Sequence, residues 1–206
     1  MTDMKNLGMT YTSLKKNFFL YAIILFTAAS LSSCGYNGGV ERDEKVKSAW
    51  GQVENVYQRR ADLIPNLVNT VKGYAKHESE TLEKVMQARA QATSVKIDAG
   101  NLTPENIATF QKAQAGLSSS LGRLMAVAEA YPDLKANQNF LELQSQLEGT
   151  ENRIAVERRN FNEAVKDYNT YGRTFPNNMF AGMWDYKAKG YFQAAAGADK
   201  APEVKF

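Results

Sequence analysis

Apolar and aromatic residues recur along most of this chain at alternating spacings of four and three residues. The rhythm covers residues 46–85, returns at 107–131 and appears again at 140–168. Residues at this spacing fall on one side of an α-helix, where they pack against neighbouring helices. Strand-like alternation of apolar and polar residues is absent until the last few positions. The pattern therefore predicts a bundle of long helices.

Turn-forming residues divide these runs. Gly100 ends one helix, Thr103 caps the next, and Pro104 occupies its first turn. Pro132 marks a second, tight turn, and the segment that starts at Gly172 ends the last long helix. These breaks predict an all-α fold, an up-and-down four-helix bundle of long antiparallel helices. The predicted helices lie near residues 41–60, 63–96, 104–131 and 133–172.

The stretch before Pro65 allows two interpretations. Cations at Arg59 and Arg60, a capping Asp62 and a proline in the next first turn are typical of a break between two helices. The four-three rhythm nevertheless continues through the stretch, as it would in one long helix kinked at Pro65. We favour the break, which gives the four helices above.

The N-terminal segment has the order of a secretory signal. Lys15 and Lys16 precede an apolar run at residues 18–29, and small residues then lead to Cys34, the only cysteine of the chain. The ending Leu-Ser-Ser-Cys is similar to that of bacterial lipoprotein signals. Residues 1–33 are therefore predicted to be a lipoprotein-type signal peptide, with lipid attached at Cys34. An uncleaved membrane helix is the alternative, although the run is only about as long as the shortest spanning helices.

The remaining chain divides into three predicted parts. Residues 34–40 form a short, flexible, lipid-anchored tether that contains three glycines. Residues 41–173 form the helical bundle, and residues 174–206 form an irregular aromatic segment that packs on one bundle end. Because the tether reaches roughly 20 Å at full extension, we expect the bundle close to a bacterial cell membrane, on its extracytoplasmic side.

Charge and composition exclude several classes of function. The 206 residues include 25 basic and 22 acidic side chains, a net charge of +3. Removing residues 1–33 takes away three cations and one acid, which leaves a net charge of +1. No electrostatic basis for nucleic-acid binding remains. With Cys34 lipidated, the mature chain has no free thiol and no disulfide, so apolar packing must hold the fold.

No set of residues in the sequence specifies a reaction. The single histidine, His77, would need a second histidine four residues later for a zinc-protease motif, and that position is Thr81. The sequence also lacks a Gly-rich phosphate loop and a nucleophile motif. We therefore expect no metal, no cofactor and no enzymatic activity, and a hydrolase with an unrecognised site is the least favoured class.

Arg60 is the polar residue that the pattern singles out. Its position in the heptad places it on the apolar seam, where a charge is costly unless it is paired. Glu151 and Glu157 lie at or next to the seam of the fourth helix, and a buried ion pair with one of them would fix the helix register. The functional alternative is a polar recess between helices, in which Arg60, Asp62 and Asn66 bind a lipid or a small anionic molecule.

The C-terminal part of the chain is dense in aromatic and methionine side chains outside the helical rhythm. In one interpretation this segment folds back and covers one end of the bundle. In the other it presents an apolar surface that docks on a partner protein or on the membrane interface. The candidate docking residues are Phe180, Met183, Trp184, Tyr191 and Phe192.

Several short stretches carry a family resemblance. The most specific is Arg-Arg-Ala-Asp-Leu-Ile-Pro-Asn-Leu-Val at residues 59–68, followed by Val-Lys-Gly-Tyr-Ala-Lys-His-Glu at 71–78. With these stretches the chain resembles the LemA family of bacterial membrane-associated proteins, over nearly all of residues 36–206. Further matching stretches lie at residues 36–37, 49–50, 147–154, 161–162, 168–169, 175–176 and 202–206.

The resemblance implies a helical bundle tethered to the membrane by its N-terminus, and it implies no known reaction. Family members typically carry an N-terminal membrane helix, and the lipoprotein-like ending at Cys34 departs from that pattern. The resemblance also points weakly to membrane proteases and envelope-maintenance factors as partners. We therefore expect a non-enzymatic, lipid-anchored scaffold or adaptor that binds another envelope protein, with a ligand-binding module as the alternative.

Overall fold

A computed structural model gives the architecture of the chain. It describes residues 3–194, and before Gly35 it describes side chains only at Phe18 and Tyr21. Within residues 3–194 all regular structure is helical. The elements are α1 (Asp3–Tyr74), α2 (Ser79–Ser94), α3 (Pro104–Ala128), α4 (Pro132–Lys135), α5 (Gln138–Arg173) and a 3-10 turn at Asn177–Met179.

The four long helices alternate in direction, and α1 and α5 form the longest antiparallel pair. At one end the Tyr171 hydroxyl donates to the Gly35 carbonyl at 2.7 Å. At the other end Asn137 Nδ2 donates to the Tyr74 hydroxyl at 2.9 Å. We call the end at Gly35 the proximal end and the end at Tyr74 the distal end. The prediction of an all-α, up-and-down four-helix bundle is confirmed.

The apolar seams meet in two buried clusters that follow each other along the bundle. In the distal cluster Ile64 and Leu124 have no solvent exposure. In the proximal cluster Trp50 and Phe161 are equally inaccessible. Burial of such apolar surface is the main favourable contribution to folding, at about 25 cal/mol per Å². Between the two clusters lies a layer of polar side chains centred on Arg60.

The predicted break before Pro65 is wrong, because α1 continues through the proline to Tyr74. A proline inside a helix has no N–H to donate to the carbonyl four residues earlier. Here that carbonyl belongs to Ala61, and it accepts a hydrogen bond from Arg89 Nε of α2 at 2.7 Å instead. The alternative of one long helix with an internal Pro65 is therefore the one the structure adopts.

The chain reverses direction later than predicted, between Tyr74 and Ser79. The N–H of Glu78 donates to the Ala75 carbonyl at 3.2 Å, which forms a turn. Ala75 and the following Leu82 are both buried in the distal cluster, so α2 packs back along the bundle. The helix predicted at 63–96 is thus divided, with its first part in α1 and its remainder in α2.

The boundaries of α3 and α5 reflect capping side chains. Thr103 Oγ1 accepts from the Asn106 N–H at 3.2 Å, and Pro104 occupies the first turn, as predicted. The helix predicted at 133–172 is instead interrupted after the short α4. Asn137 Oδ1 accepts from the Phe140 N–H at 3.0 Å and starts α5 there.

Residues 35–40 are helical, so the expectation of a flexible tether is wrong for them. Glycine is intrinsically unfavourable in a helix, but here it allows Tyr171 of α5 to pack closely against α1. A Cβ on Gly38 would lie 2.5 Å from the Tyr171 hydroxyl, so a larger residue there would displace that side chain. The side chain of Cys34 lies outside the described part of the chain, and lipid attachment there stays a prediction. Within the described part, no helix is long and apolar enough to cross a membrane.

Candidate functional site

The polar layer, formed by Arg60, Gln114, Ser118 and Glu151, joins the two apolar clusters. Arg60 is buried, and its Nη1 donates to Glu151 Oε1 at 2.5 Å and to Ser118 Oγ at 2.9 Å. Its Nη2 donates to Gln114 Oε1 at 2.7 Å. Gln114 Nε2 in turn donates to the Ala92 carbonyl at 3.2 Å. One hydrogen-bonded network therefore connects all four long helices.

The electrostatics of this layer are those of a structural ion pair with one solvent-exposed member. The Arg60 guanidinium also lies over the Tyr57 ring, 5.0 Å from its centroid, which adds a cation–π contact. Of the nitrogens of its guanidinium group, only Nε has no hydrogen-bond partner among the described residues. Glu151 is 47% exposed, so solvent reaches one side of the pair. The charge of Arg60 is therefore balanced within the protein.

The structure does not assemble the predicted recess of Arg60, Asp62 and Asn66. Successive helical residues are rotated by about 100°, which places positions 62 and 66 on a different side of α1 from position 60. Asp62 is exposed and accepts a hydrogen bond from Gln58 Nε2 at 2.7 Å. Asn66 is exposed as well. Of the four predicted residues, only Arg60 and Glu151 meet.

At the proximal end, residues 174–186 form a compact segment that we call the aromatic turn. The rings of Phe180 and Trp184 stack at 5.7 Å, and Trp184 also packs edge-on against Tyr36 of α1 at 6.2 Å. The Tyr186 ring stacks on Tyr168 at 5.0 Å and lies directly over Gly172, where a Cβ would be only 2.2 Å away. Burial, together with the nearby tyrosines, raises the pKa of Tyr186 to about 12.

Residues 187–194, the C-terminal strap, lie along the bundle beyond this turn. Three side-chain amides of the bundle hold the strap, and each binds both the N–H and the carbonyl of one strap residue. Asn169 binds Lys189 in this way with two hydrogen bonds of 2.9 Å. Asn162 binds Phe192, again at 2.9 Å, and Gln111 binds Gln193 at 2.8 and 3.1 Å.

Phe192 anchors the strap in the proximal cluster. Its ring is 5.4 Å from Phe161 and stacks on Trp50 at 6.2 Å. Phe192 is thus a core residue, and its prediction as a docking residue is wrong, because the strap carries it between α1, α3 and α5. The neighbouring Tyr191 remains exposed.

A buried lysine secures the start of the strap. Lys189 Nζ lies 2.8 Å from Asp43 Oδ1, and Lys47 Nζ lies 2.8 Å from the other carboxylate oxygen. Partial burial raises the pKa of Asp43, but the hydrogen bonds from Lys189 and Lys47 outweigh this effect, and the pKa lies below its ordinary value. The strap is therefore tied to α1 by charge as well as to α3 and α5 by amides.

The remaining docking candidates lie in or beside the aromatic turn, with different exposures. Met183 is 81% exposed, whereas Phe180 and Trp184 are half-buried against each other. The turn also exposes Phe175 by 78% and Met179 by 68%. The density of aromatic and methionine residues in the sequence marks the whole turn as apolar. It does not show which side chains the turn covers, because that depends on contacts with α1.

The described part of the chain holds no group of three or more His, Cys, Asp or Glu side chains placed to bind a metal ion. His77 is exposed in the turn between α1 and α2.

The sequence profile of the LemA family matches residues 49–206, which is most of the chain and includes α2, α3, α5 and the strap. The chain belongs to the LemA family. Protein LemA of Metamycoplasma hominis is 27% identical over 186 residues, which cover 89% of this chain and 81% of that protein. Magnetosome protein MamQ 2 of Paramagnetospirillum magneticum is 27% identical over 199 residues, which cover 86% of this chain and 71% of that protein.

In this member of the LemA family, the stretch at residues 59–68 has two structural roles. Arg60 supplies the centre of the polar layer. Pro65 leaves the Ala61 carbonyl free for Arg89, which fastens α2 to α1. The most specific matching stretch therefore contains residues that hold helices together.

Proposed function

We propose that this chain is a non-enzymatic scaffold or adaptor of the bacterial cell envelope, tethered to the membrane at its N-terminal end. The single observation that supports the proposal best is the continuity of α1. The helix that includes the apolar run at residues 18–29 is also the helix that forms the bundle with α5. An anchor in that run, or a lipid on Cys34, would therefore hold the bundle without an intervening flexible linker.

The buried polar groups support a binding role rather than a reaction. Arg60 is neutralised by Glu151, and Lys189 is neutralised by Asp43. Both cations are buried and already have their partners inside the fold. What the bundle offers to other molecules is its long helix faces and its aromatic turn. The recess predicted for a lipid or anionic ligand does not form as predicted, because Asp62 and Asn66 lie on a different side of α1 from Arg60.

The partner of such a scaffold would be another protein of the envelope. The test is a photo-crosslinking pull-down from intact cells that express the full chain with photoreactive groups on α3 and α5. The matched control carries Cys34→Ser, which removes the lipid attachment site and leaves the bundle unchanged.

The proposal predicts that a defined envelope protein is crosslinked to the wild-type chain and that its yield falls at least about tenfold with Cys34→Ser, because tethering raises the effective concentration of membrane partners. An equal yield from both forms would contradict tethering through a lipid on Cys34. Recovery of no envelope protein from the wild-type chain would contradict the adaptor role.

A further inference from the structure

The aromatic turn concentrates exposed apolar side chains at the proximal end. Phe175, Met179 and Met183 are exposed by 78%, 68% and 81%, although they lie within nine consecutive residues. Isolated exposed hydrophobic residues are normal, but a group of large ones marks a surface that contacts another apolar phase. Elsewhere in the described bundle, large exposed hydrophobic residues are less exposed, as at Met86, Leu141 and Val156.

The turn is fixed to the residues that follow Cys34. The Trp184 ring packs so closely on Gly35 that a Cβ there would be 2.8 Å from it. The Tyr171 hydroxyl binds the Gly35 carbonyl, and Asn177 Nδ2 donates to the Tyr171 carbonyl at 3.2 Å. No free segment therefore separates the start of the bundle from the aromatic turn.

These contacts with Gly35 place the aromatic turn next to the expected membrane anchor. A lipid on Cys34, or an apolar run held in the bilayer, places residue 34 at the membrane surface, and Gly35 is the next residue. One residue spans at most about 3.6 Å, so the aromatic turn lies beside the anchor. Aromatic side chains such as Tyr36 and Trp184 are enriched at membrane interfaces, where the apolar ring and its polar group are both accommodated.

We propose that the aromatic turn seats the bundle on the lipid bilayer, with Phe175, Met179 and Met183 inserted in the interface beside the anchor. The inference rests on the proposed function, since it needs a chain tethered at its N-terminal end. Lys187 near this turn pairs with Asp185 at 3.0 Å. Because the three inserted side chains carry no charge, their contact with the bilayer should depend little on salt.

The two tryptophans of the chain provide a direct test. Trp184 belongs to the aromatic turn, whereas Trp50 is fully buried in the proximal cluster and serves as an internal reference. The full, lipidated chain is reconstituted in phosphatidylcholine–phosphatidylglycerol vesicles, with and without brominated acyl chains, which quench tryptophan on contact. The difference between wild type and Trp184→Phe isolates the Trp184 signal without altering the core.

We expect the Trp184 emission to fall by at least about twofold in brominated vesicles, at low and at high salt, because an interfacial ring reaches the upper acyl chains. The triple variant Phe175→Ser, Met179→Ser, Met183→Ser should lose this quenching. The matched triple variant Met86→Ser, Leu141→Ser, Val156→Ser should keep it. Circular dichroism checks that both variants retain the helical fold.

The outcomes separate this inference from the proposed function. Vesicle flotation of the wild-type chain reports tethering to the membrane, whereas quenching of Trp184 reports insertion of the aromatic turn in the bilayer interface. If the chain floats while its Trp184 stays unquenched, the aromatic turn does not insert in the bilayer, although the chain is still tethered to it. Insertion in the bilayer would also be contradicted if Trp184 is shielded from iodide in native envelopes but is not quenched in vesicles. The aromatic turn would then contact a protein rather than lipid. A chain that does not float would contradict the proposed function itself.

Discussion

At the scale of single residues, the Arg60–Glu151 pair is asymmetric. Arg60 is buried, whereas Glu151 is 47% exposed on its side of the pair. Removing one member of a buried pair is costly mainly when it leaves the other charge buried and uncompensated. Loss of Glu151 leaves such a charge, but loss of Arg60 leaves a carboxylate that water can reach. The two members should therefore differ in their contribution to stability.

We predict that Glu151→Ala lowers the free energy of unfolding by about 2–3 kcal/mol and Arg60→Met by about 1–2 kcal/mol, the latter because the buried Gln114 Oε1 loses its donor. Urea denaturation measures both. Glu148→Ala, an exposed position one turn earlier on α5, is the control and should change stability by less than about 0.5 kcal/mol. A greater loss with Arg60→Met than with Glu151→Ala would show that the pair is not organised as described.

A second prediction concerns Asp43, which holds Lys189 of the strap. The pKa of Asp43 is lowered in the folded chain, so its contribution to stability is present above its unfolded pKa of about 4 and is lost as the pH falls. Protection of the strap amides from hydrogen exchange should therefore decrease below about pH 4 in the wild type. In Asp43→Asn the protection should be weaker at neutral pH and change less with acidification. Identical pH profiles would refute this role.

Residue-scale prediction from sequence was partly successful. The heptad position identified Arg60, and the register of the fourth helix identified Glu151 as one of two partners. Gln114 and Ser118 were not predicted, because a polar residue on α3 becomes a partner only when the facing of the helices is known. Asp62 and Asn66 were grouped with Arg60 by closeness in sequence, although helical rotation places them elsewhere.

At the scale of elements, the bond from Arg89 to Ala61 explains why α1 passes through Pro65. We predict that Arg89→Met destabilises the chain by about 1–2 kcal/mol, since the Ala61 carbonyl then has no donor. In a Pro65→Ala background the restored N–H donates to the Ala61 carbonyl. Arg89→Met should then lower the free energy of unfolding by only about 0.5 kcal/mol or less. A double-mutant cycle in urea gives the coupling, with Arg153→Met as an exposed control. Independent, additive effects would contradict the explanation.

The C-terminal strap depends on side-chain amides far away in sequence. We predict that Asn169→Ala accelerates hydrogen exchange at Lys189 by about tenfold or more, because the buried N–H and carbonyl lose both partners. Asn162→Ala should act in the same way at Phe192. Asn160→Ala, on the same helix but bonded to Glu157, is the control and should leave the strap unchanged. Unaltered exchange in the first two variants would contradict the amide-held strap.

The elements were predictable where their signals are local. The Thr103 cap and Pro104 mark the start of α3 in sequence and in structure. The break before Pro65 was predicted from equally local signals, but a side chain of α2 compensates for the missing N–H. The strap has no local pattern at all, because its conformation is set by amides of α3 and α5.

At the scale of the whole molecule, α1 and α5 run through both apolar clusters and past the shorter pair of helices. The aromatic turn and the strap fill the proximal end that α2 and α3 leave uncovered. Sequence periodicity predicted this bundle, because a seam near 3.5 residues requires packing partners. It did not predict that residues 35–40 are helical, since that depends on Tyr171 packing against the glycines. The anchor is therefore expected to continue directly into a rigid body.

We expect this body to be held at the membrane through Cys34, the residue that precedes Gly35. Membrane fractionation combined with intact-mass measurement of the mature protein tests it most directly. We predict a chain that begins at Cys34, carries lipid on that residue and remains in the membrane fraction, whereas Cys34→Ser shifts the protein out of it. An unmodified Cys34 thiol, with the protein recovered outside the membrane fraction, would contradict the account.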